Sequence, residues 1–198
     1  MTRNINTIIQ IEGSVAPGFE SVKALFEQEM HTKAEDHAQL CIYHKGEKVV
    51  DLWASNSSDF TADSLINIFS SGKSLEALAL ASLVAKGLLD YDAKIADYWP
   101  GFAGNGKGDL KVADLMRHES GLADFQLTID PEQLLAENLR QNSIGSVIEG
   151  LPARISSDPD YKRNYHSLTR GWVANEIFRR VDPNGRTLGE FVREELAE

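Results

Sequence analysis

Cysteine is nearly absent from this sequence. Cys41 is the single cysteine among 198 residues, which excludes a disulfide framework within one chain. It lies in the apolar run "LCIY", and free cysteines in such surroundings are usually buried and chemically inert. We therefore predict a buried structural thiol at Cys41 rather than a nucleophile.

Basic clusters and long hydrophobic runs are also lacking. The net charge is −10, and no basic run is longer than a pair such as Arg179-Arg180, so a nucleic-acid partner is not expected. Near the amino end, Ile8, Ile9 and Ile11 are too few to form a signal-peptide core or a membrane span. We expect a soluble, cytoplasmic protein without a membrane partner.

The composition that is present is globular. Hydrophobic residues make up 42% and charged residues 25% of the chain, enough to build a folded core. Apolar residues at helical spacing predict an amphipathic helix over 20–30, and two β-runs joined at Lys45-Gly46 predict a hairpin over 37–54. A sheet combined with helices places the chain in the α/β (α+β) class.

The second half of the chain, 90–198, carries mainly helical patterns. Asp130 followed by Pro131 predicts the start of a helix over 130–141, and Thr187 with Glu190 forms the capping box of a last helix. The stretch "SLTRGWVANEIFRRV" is also helical, whereas "SSDPD" at 156–160 is predicted to be a loop.

The segment "IFSSGKSLEALALASLVAKGLLD" predicts a central buried helix with apolar residues on all sides, ending at Gly87. Its first turn carries Lys73, a cation at the positive end of the helix dipole. This placement costs about a few tenths of a kcal/mol where an acid would be favourable. Departures from a local rule tend to mark functional sites.

Ser70 and Lys73 are three residues apart and therefore share one face of a helix. A serine hydroxyl becomes a useful nucleophile when a neighbouring group takes its proton. A lysine does this near pH 7 when its pKa is lowered by roughly three units. The spacing alone favours a simpler interpretation, in which Ser70 or Ser71 caps the helix and Lys73 is solvated. A chain of this composition contains about one Ser-x-x-Lys pair by chance.

Several motifs in order resemble one family. They are "GFESVKALFEQ", "YHKGEKVVDLWAS", "NIFSSGKSLEALALASLVAKGLLDYDAKIADYWPGFAGNGK", "LMRHESGL" and "YHSLTRGWVANEIFRRVDPNGRTLGEFVREEL". Together they resemble the serine β-lactamases and penicillin-binding proteins, in particular the class C-like branch with the family VIII carboxylesterases. The resemblance implies a partial β-lactamase/transpeptidase-like fold. Its parts would be an N-terminal helix and antiparallel hairpin, a buried nucleophile helix and a mainly helical region.

The resemblance also implies roles for individual residues. Ser70 matches the nucleophile, Lys73 its partner, and Tyr165 the tyrosine that shares proton transfer with that lysine. From the residues alone, Tyr165 is more typical of a packed aromatic with a hydrogen-bonded hydroxyl. His118 matches a structural helix end, and His166 is a candidate substrate-binding residue, with a site-lining and a structural role weighed equally.

Two departures from the family pattern shape the expected function. Tyr165-His166-Ser167 lacks the asparagine of the Tyr-x-Asn motif that grips a β-lactam, and the usual Pro-Gly before it is missing. The resemblance implies a family length about twice that of this chain. We therefore interpret 1–198 as a front portion of one domain, without the C-terminal sheet strands. Its sheet-forming part with the nucleophile helix spans 1–89, and its mainly helical part spans 90–198.

These expectations define two functions. The first is a serine hydrolase, most simply a carboxylesterase that acts on a small-molecule ester or acyl substrate through an acyl-enzyme, without a cofactor or metal. The alternative is a non-catalytic binding or assembly protein, or an inactive truncated fragment, that retains the fold. An unpaired sheet edge would favour self-association in either case.

Overall fold

The computed structural model describes residues 8–126, 128–154 and 163–196. Within these ranges the chain forms two compact units, divided between Asn67 and Ile68. The loop predicted at 156–160 lies outside the described residues. The architecture is a mixture of an antiparallel sheet and helices, so the predicted α/β class is confirmed.

The first unit contains the sheet and one helix. Strands β1 (Gln10–Val15), β2 (His37–His44) and β3 (Glu47–Ser55) form an antiparallel sheet in the order β1-β3-β2. Helix α1 (Glu20–Thr32) contacts β1 and β3, as its amphipathic pattern predicts. Val22 and Phe26 of α1 pack on a small core centred on the buried β3 residues, which are Val49, Val50 and Leu52.

The hairpin between β2 and β3 is confirmed, and its turn is explained by backbone conformation. Lys45 and Gly46 both adopt positive φ angles, 52° and 85°, which match the twist of a two-residue hairpin. Strand alternation directs Leu40 and Ile42 of β2 to the apolar core and leaves Cys41 exposed. The predicted buried thiol was therefore wrong, because an apolar run was interpreted without its period of two.

Strand β1 was not predicted. Gly13 interrupts its apolar pattern, but the structure requires a glycine there. Its φ is 108°, and a Cβ at this position would lie 2.0 Å from the backbone oxygen of Asp51 on β3. The close approach of the two strands therefore explains the residue that hides the strand from a search for periodicity.

The second unit is helical. A 3-10 turn at Phe69–Gly72 leads into α2 (Lys73–Ala85), followed by α3 (Ile95–Tyr98) and α4 (Val112–Met116). Helices α5 (Ala136–Arg140), α6 (Ser143–Gly150), α7 (Thr169–Val181) and α8 (Leu188–Glu195) complete it. Its apolar core contains buried residues of α2, α3, α4, α6, α7 and α8 and of the loops between them. The prediction of a mainly helical second half holds for the described residues.

Helix α2 is buried on one side rather than all round. Ala79, Leu80 and Leu83 are buried in the core, whereas Leu78 is 55% exposed. The helix ends as predicted at Gly87, whose φ of 70° allows the amide of Leu88 to donate to the carbonyl of Leu83. The first turn of α2 therefore belongs to a helix that is packed on the core and has a defined end.

Two helical predictions near the carboxyl end differ in outcome. The helix predicted over 130–141 is broken at Leu135 into a 3-10 turn, Pro131–Leu134, and the short α5. The capping box of α8 is confirmed, because the amide and hydroxyl of Thr187 both donate to the Glu190 carboxylate and the Glu190 amide donates back to the hydroxyl.

Candidate active site

Ser70 and Lys73 lie where the 3-10 turn passes into α2. The amide of Lys73 donates to the carbonyls of Ser70 and Ser71, so the two side chains are one turn apart. Phe69, immediately before Ser70, has a φ of 44°, a conformation that bulky side chains rarely adopt. Strained backbone of this kind is concentrated at functional sites, and here it orients the turn that carries Ser70.

Tyr165 approaches this turn from the segment that precedes α7. Its ring centroid lies 5.2 Å from Nζ of Lys73, within the range of a cation–π contact. A hydrogen bond from the Ser70 side chain lowers the pKa of Tyr165 below its ordinary 10.0, although partial desolvation opposes this; a hydrogen bond from Lys73 and the charges of Lys73 and Arg170 lower it further. Ser70, Lys73 and Tyr165 therefore lie together, as their family pattern predicts.

The ammonium group of Lys73 has a second partner on the same segment. Nζ donates to the backbone carbonyl of Ser167, two residues beyond Tyr165. The side chain of Lys73 is thus held between a carbonyl oxygen and the face of the Tyr165 ring. This arrangement keeps the cation beside the phenol hydroxyl, where its charge favours the phenolate.

The ring of His118 packs against the ring of Tyr165. The two rings are 4.9 Å apart between centroids, and Nδ1 of His118 accepts a hydrogen bond from the backbone amide of His166. Burial, followed by the charge of Arg170 and smaller contributions from other nearby cations, lowers the pKa of His118 to about 4. A neutral ring under Tyr165 agrees with the structural role predicted for this residue.

His166 is fully buried in the structure. Its Nδ1 donates to the carbonyl of Asn164, and its Nε2 accepts from the amide of Leu122 and the hydroxyl of Ser120. Burial also lowers the pKa of His166. Both ring nitrogens are therefore occupied by the protein, which favours the structural interpretation over substrate binding by the ring.

Sequence reasoning missed an ion pair behind the site. Arg170 on α7 is 7% exposed and pairs with Glu76 on α2 at 3.0 Å. The same nitrogen, Nη2, also donates to the backbone carbonyl of Lys73 at 2.9 Å. A signal was available, because Arg170 is a cation in the first turn of its helix and breaks the same dipole rule as Lys73.

Across 8–126, 128–154 and 163–196, no group of three or more histidine, cysteine and acidic side chains has an arrangement that could hold a metal ion. In the same part of the chain, none of the helices has the length and apolar character needed to cross a bilayer.

Solved structures with this fold define its class. A penicillin-binding protein homologue from Caulobacter crescentus is 33% identical with a TM-score of 0.81, over 95% of this chain and 50% of that one. A family VIII carboxylesterase is 30% identical with a TM-score of 0.82, over 96% of this chain and 51% of that one. EstA from Arthrobacter nitroguajacolicus Rue61a is 32% identical with a TM-score of 0.78. It is matched over 91% of this chain and 46% of its own. The chain has part of the β-lactamase/transpeptidase fold.

The sequence comparisons identify the family. A family model described as Beta-lactamase matches residues 22–198, and the chain belongs to this family. Esterase/beta-lactamase LipL of Mycobacterium tuberculosis is 31% identical over 194 residues, which are 96% of this chain and 43% of that protein. The chain thus spans about half the length of the relatives it matches.

Proposed function

We propose that the whole protein is a carboxylesterase that works through an acyl-serine intermediate, and that this chain carries its nucleophile. Ser70 is the nucleophile, and Tyr165 together with Lys73 moves the proton. The observation that carries the proposal is the placement of the Tyr165 ring, whose centroid lies 5.2 Å from Nζ of Lys73, beside the turn that carries Ser70.

The reaction proceeds in two balanced halves. Oγ of Ser70 forms a bond to the acyl carbon of the ester while the phenolate of Tyr165, beside the Lys73 ammonium, takes the hydroxyl proton. The bond to the alcohol oxygen then breaks, and the alcohol leaves with that proton. Water then adds to the acyl carbon and gives a proton to the phenolate oxygen of Tyr165. The bond between the acyl carbon and Oγ of Ser70 breaks, the acid departs, and Oγ takes the proton back from Tyr165. The lowered pKa of Tyr165 supports its role as the base.

The substrate class follows from the segment around Tyr165. The position two residues after Tyr165 is occupied by Ser167, whose backbone carbonyl already accepts from Lys73, and no amide side chain stands there to grip a β-lactam. Two relatives are described as esterases, one as "Esterase/beta-lactamase" and one as a family VIII carboxylesterase. We therefore propose an ester rather than a β-lactam as the preferred substrate.

Covalent labelling tests the nucleophile directly. The chain of 198 residues is incubated with a fluorophosphonate for hours, and intact mass and peptide mapping report the modified residue. We expect one label per chain, on Ser70, lost in Ser70→Ala and strongly slowed in Lys73→Ala. Ser74→Ala is the matched control, because Ser74 lies one turn further along and its hydroxyl donates to the carbonyl of Ser71.

Four outcomes decide the proposal. Labelling of Ser70 that is insensitive to Ser74→Ala supports it, and turnover of p-nitrophenyl butyrate in preference to a penicillin supports the ester class. Labelling at another serine, or none in any variant, overturns the proposal for this chain. The absence of labelling in every variant would instead support a non-catalytic protein that retains the fold.

A further inference from the structure

Lys73 is held at both ends by one short segment of the chain. Its ammonium group donates to the carbonyl of Ser167, and its backbone carbonyl accepts from a guanidinium nitrogen of Arg170 at 2.9 Å. Both partners belong to the stretch 165–170, which also contains Tyr165. The position of the lysine relative to the phenol is therefore set by contacts within a six-residue unit.

Arg170 makes these contacts with its whole guanidinium group. Nε and Nη2 both lie 3.0 Å from the Glu76 carboxylate, and Nη2 also donates to Lys73. Nη1 lies 3.4 Å from the carbonyl of Met116 and from Nε2 of His118. A planar fork of this kind fixes geometry in a way that a lysine ammonium does not. One side chain thus joins the first turn of α2 to the end of α4 and lies beside the neutral ring of His118.

Glu76 is fixed on its other side by close packing. A Cβ at position 171 would lie 2.8 Å from Oε1 of Glu76, so the carboxylate rests against the backbone of Gly171. Glu76 and Lys73 are three residues apart on α2. Arg170 therefore contacts α2 at both residues, through the side chain of Glu76 and through the backbone carbonyl of Lys73.

We propose that Arg170 is a positioning residue for Lys73, with Glu76 as its anchor. This inference rests on the proposed function, in which Lys73 assists Tyr165. Arg170 is 7% exposed and its donors are directed at protein atoms, so it acts through Lys73 rather than by touching substrate. Without the guanidinium fork, the first turn of α2 is free to shift, and the ammonium group moves away from the phenol oxygen.

The test measures ionisation of Tyr165, a readout that a purely structural role would not move and that requires no turnover. The chain contains five tyrosines, so the ring-labelled carbon-13 resonance of Tyr165 is assigned by comparison with Tyr165→Phe. We expect Arg170→Met to move the Tyr165 midpoint up, toward 10.0. The same substitution in a Lys73→Met background should move it less, because the contribution made through Lys73 is already gone.

Equal shifts in the two backgrounds would mean that Arg170 acts through its own charge alone, and would overturn the inference. Arg170→Lys covers the case in which Arg170→Met fails to fold. It keeps the charge but loses the fork, so it should still raise the midpoint when Lys73 is present and leave it nearly unchanged when Lys73 is absent. Arg193→Met, an exposed site on α8, is the matched control and should change neither background.

The labelling rate separates this inference from the proposed function. If Ser70 is the nucleophile, Arg170→Met should slow its labelling about ten- to a hundred-fold, the range expected from a small misplacement of a reacting group. If Ser70 is never labelled, the proposed function fails. The dependence of the Tyr165 midpoint on Arg170 and Lys73 still decides whether Arg170 positions the lysine.

Discussion

The ammonium group of Lys73 donates a hydrogen bond to the backbone carbonyl of Ser167, 94 residues later in the chain. The acceptor is a main-chain atom, so the contact depends on where the segment before α7 runs rather than on which side chain occupies position 167. The same segment brings Tyr165 to the lysine. Two distant stretches therefore form one site through backbone placement.

Removal of the Tyr165 hydroxyl tests the proton-transfer role. Tyr165→Phe should slow fluorophosphonate labelling of Ser70 by about 10²- to 10⁴-fold, the usual contribution of a positioned acid or base. The fold should persist, because the side chain is 53% exposed and the ring is retained. Tyr43→Phe, at a 64% exposed site on β2, is the matched control. An unchanged rate in Tyr165→Phe would remove this residue from the mechanism.

His118 makes the free energy of unfolding depend on pH. Its pKa is about 4 in the folded chain and 6.5 in the unfolded one, so the unfolded state binds the extra proton between these values. The stability present above pH 6.5 should decline as the pH falls and reach its full loss, roughly 3 kcal/mol, below about 4. Thermal unfolding followed from pH 7 to pH 4 measures this decline.

His118→Asn is the variant for this experiment, because asparagine tolerates the φ of 64° at this position and keeps a hydrogen-bond acceptor. Its unfolding temperature should fall less between pH 6.5 and 4 than that of the wild type. His31→Asn, at an exposed site on α1, controls for the loss of a histidine. Parallel pH curves for wild type and His118→Asn would contradict the assignment.

The part of the site that could be predicted from sequence is the part made by local contacts. Helical spacing places Ser70 and Lys73 on one face and Lys73 stands out by its conflict with the helix dipole, but their catalytic roles came from the family resemblance. Tyr165 came from the family resemblance, since nothing near it in the sequence points to Ser70. Arg170 and Glu76 are 94 residues apart, and no periodicity joins them; only their contact in the folded chain reveals the pair.

The fold shows the same division. The hairpin turn at Lys45-Gly46, the end of α2 at Gly87 and the cap at Thr187 each depend on a few neighbouring residues, and each was predicted. Strand β1 and the exposure of Cys41 depend on which strand lies alongside and which face meets the core. Both features depend on contacts between residues far apart in the sequence, which local propensity does not predict.

The exposure of Cys41 has a direct chemical consequence. A thiol-specific reagent such as Ellman's should modify one thiol per native chain, without denaturant and at a rate close to that after unfolding. Cys41→Ser should abolish the reaction and change the unfolding temperature little, since the side chain is exposed on β2. A thiol that reacts only after denaturation would restore the buried interpretation.

Helix α7 also carries a buried carboxylate that lies outside the candidate active site. Glu176 on α7 is fully buried and pairs with Arg179 and Arg180, while Asn142 accepts from both arginines. A Cβ at Gly145 would lie 2.7 Å from the Glu176 carboxylate, so the surrounding packing leaves no room for another arrangement. The ion pairs of Glu176 with Arg179 and Arg180 stabilise the folded chain only while both the carboxylate and the guanidinium charges are present.

Glu176→Gln removes the negative charge that both partly buried guanidinium groups share, and leaves Arg180 with only a longer contact to Glu149 at 3.9 Å. We expect a loss of about 3–5 kcal/mol in the free energy of unfolding, because breaking a buried ion pair from one side exposes the desolvation cost of the other. Glu194 pairs with Arg186, and the Glu194 side chain is 54% exposed. Glu194→Gln should therefore cost less than about 1 kcal/mol in the free energy of unfolding. Urea unfolding of the three proteins measures both values. A Glu176→Gln midpoint as high as that of Glu194→Gln would show that hydrogen bonding by the amide suffices, and that the charge itself contributes little to holding α6 and α7 together.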